Sequence, residues 1–126
     1  MTSDEIRTIE EKLDITVPEC WKQTIIQFPF RSESLAVEQS LYNTVESILE
    51  VNSLREDCEM PNAFFVGRFG EGTWFLDLNN PESGVYVFLV EDWTQHHDFK
   101  SWDAFVAFIS MTFDELRERS RTAGEK

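Results

Sequence analysis

The chain has 126 residues and 24 acidic against 11 basic side chains, a formal net charge of −13, which fits one domain of ordinary size and opposes the field that nucleic-acid backbones or anionic membranes require. Two cysteines, Cys20 and Cys58, are too few for a secreted disulfide scaffold, and neither they nor the two histidines fall at zinc-ligand spacings. The first thirty residues show no basic and then apolar leader, and no apolar run approaches the ~18 residues of a membrane span, so a cytoplasmic protein with no membrane partner is expected.

Thr2-Ser3-Asp4-Glu5 has the form of a capping box, with Thr2 as N-cap and Glu5 three residues on. Ile6, Ile9 and Leu13 then share one helical face. Pro18 suits the first position of a second helix, in which Trp21, Ile25 and Phe28 form the stripe, and Pro29 ends it. Residues 30–39 read as a loop with a short strand near Leu35–Val37. A third helix is predicted over 44–54, with Asn43 as N-cap and Glu46 as its reciprocal partner. The polar stretch 55–62, containing Pro61, reads as a loop.

Three strands of an antiparallel meander are predicted next. Ala63–Val66 is a short apolar run, Thr73–Leu78 alternates with Trp74, Leu76 and Leu78 on one face, and Gly84–Val90 is apolar on both. The glycines of GRFGEGTWF fall between two strands. A phosphate-cradling loop must join a strand to a helix N-terminus, so Gly70 and Gly72 are expected to supply positive φ in a turn. Ser101 then caps a helix whose stripe runs from Trp102 through Phe105, Val106, Ile109 and Phe113 to Leu116. The charged segment from Arg117 should fray, leaving a domain over 1–120 and a flexible tail over 121–126.

Chemistry is sparse. Residues 91–98, EDWTQHHD, are the densest cluster of titratable groups. Adjacent histidines on an extended segment point apart, so His96 and His97 do not chelate one ion, and no catalytic, cofactor-binding or metal-binding residue is assigned. No nucleophile motif is present, and the aromatic stripe of the last helix reads as core. The cluster reads as a solvated loop joining strand to helix. An exposed Trp93 among acids would also suit recognition of a basic protein.

The order and punctuation of these segments resemble the SUKH superfamily, the Smi–Knr-like proteins, over about residues 6–110. IEEKLDITVPECWKQTIIQFP resembles its acidic and Pro-led helices, and FFVGRFGEGTWFLDL its strand, Gly-rich turn and strand with a late Asp, here Asp77. GVYVFLV and SWDAFVAFI resemble the following strand and the Ser-aromatic helix. Read from the residues, the elements run α-α-(β)-α-β-β-β-α and no cofactor is expected; the resemblance implies a single α+β domain, an antiparallel sheet flanked by helices, with no enzymatic activity. It implies an immunity protein that binds and neutralises a cognate bacterial toxin domain of a polymorphic or contact-dependent system, often a nuclease. A regulatory or scaffold interaction module is the alternative. Such sequences vary where they bind, so partner-binding candidates come only from expected exposure and acidity: Glu71, Glu91, Asp92, Trp93, His96 and Asp98. A domain at −13 suits the capture of a basic toxin by electrostatic steering.

Overall fold

A computed structural model of the chain describes residues 1–89 and 91–124. Helices α1 (Ser3–Leu13) and α2 (Glu19–Gln27) open the chain. The Thr2–Glu5 capping box forms as expected, with Thr2 Oγ1 accepting from the Glu5 amide and the Glu5 carboxylate accepting from the Thr2 amide. Pro18 is the N-cap of α2 in place of its first residue, so the helix begins one position later than expected, and Phe28 closes it in a left-handed conformation.

The predicted strand at Leu35–Val37 is instead the start of a single π-helical turn over Ala36–Ser40. Tertiary pairing overrides local pattern here. Leu35 N–H donates to the Met111 carbonyl, and the strand-like contacts shift to isolated bridges, Ser34 with Thr112 and Leu41 with Gly67. Helix α3 (Val45–Asn52) starts one residue later than Asn43 would allow. Thr44 is its N-cap and Ser47 its reciprocal partner, in place of Asn43 and Glu46.

The antiparallel sheet has four strands in sequential order, β1 (Ala63–Phe69), β2 (Gly72–Asp77), β3 (Val85–Leu89) and β4 (Thr94–Phe99). The first three follow the predicted meander. The fourth corrects the loop expected over 91–98. Its sequence, TQHHDF, has no apolar face to betray a strand, but an edge strand needs only backbone pairing on one side, and β3 provides it. Gly84 sits at φ +109 before β3, and a Cβ there would fall 2.2 Å from the Phe99 carbonyl oxygen.

One sheet face bears the main core. Phe64, Val66, Trp74, Leu76 and Val85 pack with Ile6, Ile9, Trp21, Ile25, Phe105 and Ile109. Large rings dominate the contacts: Trp21 meets Phe64 edge-on at 4.9 Å, and Trp74 meets Phe105 in the same way at 4.9 Å. The Trp102 indole donates to Thr24 Oγ1 at 2.8 Å, fastening the helix after β4 to α2. The opposite face carries a smaller cluster of Met60, Ala63, Phe65, Phe75 and Phe88.

Helix α3 lies against the β1 edge, with Ile48 in the main core and Val51 against the smaller cluster. Between them the buried Asn52 amide behaves as a short piece of strand. Its Oδ1 accepts from Phe65 N–H at 2.8 Å and its Nδ2 donates to the Phe65 carbonyl at 3.1 Å. The outer edge of β1 is thus occupied, whereas β4 forms the other border of the sheet.

The single C-terminal helix expected from the aromatic stripe is two, α4 (Trp102–Ile109) and α5 (Phe113–Gly124). The break falls where Met111 and Thr112 pair with Leu35 and Ser34. Thr112 Oγ1 accepts from the Glu115 amide and so starts a new helix. That helix continues to Gly124, past the Arg117 where fraying was expected. Of the predicted tail over 121–126, Glu125 and Lys126 lie outside the described residues.

Candidate functional site

The strand register decides what the sheet end presents. Gly72 at the start of β2 pairs with Leu89 at the end of β3, and Leu89 pairs with Thr94 at the start of β4. The β1–β2 and β3–β4 turns therefore lie side by side. Glu71, distant in sequence from the EDWT segment, joins Glu91, Asp92 and Trp93 at one end of the sheet. Arg68, opposite Thr73 near the end of β1, adds an exposed cation there. The turn glycines divide the expected role: Gly70 has φ +61, while Gly72 is an ordinary strand residue.

Trp93 is 60% exposed, the most exposed large apolar side chain among the described residues. Its backbone is left-handed, with φ +55. That conformation costs a non-glycine L-residue roughly 1–2 kcal/mol and is where glycine or asparagine would be favoured locally. Its ring leans edge-on against Phe88 at 5.8 Å, towards the smaller apolar cluster. Val90 lies outside the described residues.

A short hydrogen-bonded chain stiffens the acidic turn. Thr94 Oγ1 donates to Asp92 Oδ1 at 2.6 Å, and His96 Nε2 lies 3.0 Å from the same hydroxyl. With the hydroxyl proton committed to the carboxylate, Thr94 accepts from His96, which places a proton on Nε2. The hydrogen bond from Thr94 holds the Asp92 carboxyl below its usual pKa, with His96 adding a smaller effect in the same direction. The chain was missed from sequence, although an Asp followed two residues later by Thr is a recognisable turn signal.

The two histidines do point to opposite faces. His96 shares a face with Val87 and Trp74. His97 shares the other with Tyr86, 4.7 Å from its ring, and Nε2 reaches the Ser83 carbonyl at 2.8 Å. His97 thus ties the 3-10 turn Pro81–Ser83 to β4. Asp98 is the extra residue of a bulge, without a cross-strand partner. Its Oδ2 accepts from the Trp74 indole at 2.9 Å, so this exposed residue also anchors a core ring.

The six candidates therefore separate. Glu71, Glu91, Asp92 and Trp93 converge at the sheet end, His96 adjoins them through Thr94, and Asp98 lies farther along β4. Among the described residues no group of three or more His, Cys, Asp and Glu side chains is placed to hold a metal ion. Burial raises the pKa of both Cys20 and Cys58, which disfavours the reactive thiolate. No helix among the described residues is long and apolar enough to cross a membrane. A scan against protein-family models and a search of curated proteins each find no match for this chain.

Proposed function

We propose that this protein is a non-enzymatic immunity protein, which binds a cognate bacterial toxin domain through the acidic sheet end and neutralises it by occupying its surface. The observation that carries the reading is Trp93. A tryptophan 60% exposed, held in a locally unfavourable backbone and preceded by Glu91 and Asp92, makes one edge contact with Phe88 and leaves most of its surface to solvent. Strained, exposed aromatic positions are characteristic of binding surfaces, where one ring fills a partner pocket and surrounding charge sets the encounter rate. The net charge of −13 favours a basic partner, such as a nuclease domain. The resemblance of the sequence to the SUKH superfamily supports the same reading, and its implied α+β architecture, an antiparallel sheet with helices, is the observed one.

The test is rescue. The C-terminal domain of the large protein encoded beside this one is expressed in cells with and without it. Relief of toxicity together with a 1:1 complex is the expected result. In that complex, Glu91→Gln with Asp92→Asn should slow association and flatten its salt dependence, because two charges leave the encounter surface. A neighbour that is harmless, or that kills regardless, points to the regulatory or scaffold role instead. An unchanged association rate in the double variant removes the hairpin from the interface.

A further inference from the structure

The smaller apolar cluster does not fill its side of the sheet. Between the loop Glu59–Asn62 and the strands lies a groove of about 360 Å³. Its floor is apolar: Met60, Ala63 and Phe75 are buried, and the half-buried Tyr86 ring stacks on Phe75 at 5.5 Å. Its walls carry the carboxylates of Glu59 and Asp77 and the amides of Asn62, Asn79 and Gln95. No lysine or arginine lines it. Arg55 donates to the Pro61 and Ala63 carbonyls but lines a separate depression with Lys12. Among the described residues neither Glu59 nor Asp77 is ion-paired. Asp77 uses Oδ1 to accept from the Asn79 amide.

We propose that this groove receives an arginine side chain of the protein's partner, its methylene stem along Met60, Phe75 and Tyr86 and its guanidinium between Glu59 and Asp77. The inference rests on the proposed binding of a basic protein and adds a second contact to it. Two observations select this occupant. Two acids lining a groove with an apolar floor match a group with a long aliphatic stem and a cationic head. Asn62, Asn79 and Gln95 also line the groove, and their side-chain amides can supply further acceptors, which suit the five donors of a planar guanidinium better than a compact ammonium. The groove also lies on the face towards which Trp93 leans: Gln95 stands opposite Phe88 in the register, and Phe88 meets the Trp93 ring. One partner surface can therefore reach both.

The site is testable without the toxin. The 15N-labelled protein is titrated at low salt with N-acetyl-arginine methylamide and, separately, with the lysine analogue. Saturable shifts of the Met60, Asn62, Ala63, Phe75, Asp77 and Gln95 amides are expected, with weaker binding of the lysine analogue. Glu59→Gln combined with Asp77→Asn, which retains the acceptor for the Asn79 amide, should lower the arginine affinity about tenfold. Should the double variant unfold, the exposed Glu59→Gln alone must still weaken binding. Shifts confined to residues 91–94, shifts that spread without saturating, equal binding of both analogues, or no effect of either variant would each overturn the proposal. Such a failure leaves the hairpin reading intact, and failed toxin rescue leaves the titration result intact.

Discussion

Replacing Asn52 by leucine probes the amide that completes the β1 edge. The side chain is 1% exposed and bridges helix α3 to Phe65 through an acceptor and a donor. Its third bond, Nδ2 to the Ile48 carbonyl at 2.9 Å, is dispensable, because helical geometry already gives that carbonyl the Asn52 backbone amide. Leucine has similar volume, so no large cavity forms, and its burial returns about 1–2 kcal/mol. The cost comes from Phe65, whose N–H and C=O lose their partner in a buried setting at roughly 1–3 kcal/mol each. The balance is a loss of about 3 kcal/mol, or ~12 °C in melting temperature for a domain of this size. Urea unfolding followed by circular dichroism measures the first quantity and a thermal scan the second. Hydrogen exchange at the Phe65 amide should accelerate locally as well. A loss below about 1 kcal/mol with Phe65 still protected would show that another group or water replaces the amide, and the account of the β1 edge would be wrong.

Trp93→Gly should leave folding stability within about 1 kcal/mol of the parent, since relief of the left-handed strain offsets the lost Phe88 contact and the added chain entropy. Trp93→Ala, which keeps the strain, should be less stable than the glycine variant by about 1 kcal/mol in parallel urea titrations; equal stabilities would refute the strain at φ +55. Gly84→Ala is expected to cost more than about 2 kcal/mol, because positive φ and a 2.2 Å approach to the Phe99 carbonyl act together. A near-neutral result would mean that the β3 entrance relaxes freely. On the acid side, Glu5 and Asp92 both have lowered pKa values, from the Thr2 backbone amide and the Thr94 hydroxyl respectively. Their stabilisation is fully present above the unfolded values and disappears as pH falls through the folded ones. Glu5→Gln and Thr94→Val should therefore each flatten the acid limb of stability against pH below about pH 4; limbs parallel to the parent's would refute those linkages.

Much of the domain was legible in one dimension because its information is local. The Thr2–Glu5 box, the Pro18 and Ser101 helix starts, the apolar stripes and the alternation around Trp74 each depend on contacts within a few residues. These sufficed for an α+β class with consecutive antiparallel strands. The misreadings share a different cause. β4 is polar up to its last residue, Phe99, and exists because β3 offers its backbone; the Leu35 segment and the Ser110–Thr112 break exist because each pairs with the other across the fold. No local preference encodes such pairings.

The candidate site divides along the same line. Charge, the EDWT turn and its tryptophan are sequence properties, and they determined that an acidic aromatic surface would be presented. The register placed Glu71 beside that surface, committed Asp98 to Trp74, and sent His97 to the face opposite His96. The groove was invisible beforehand, since Glu59 lies in a segment read only as a polar loop and Asp77 ends a strand eighteen residues on. Composition determines how much charge and ring surface the protein has. Only backbone pairing between distant segments decides which of those groups meet.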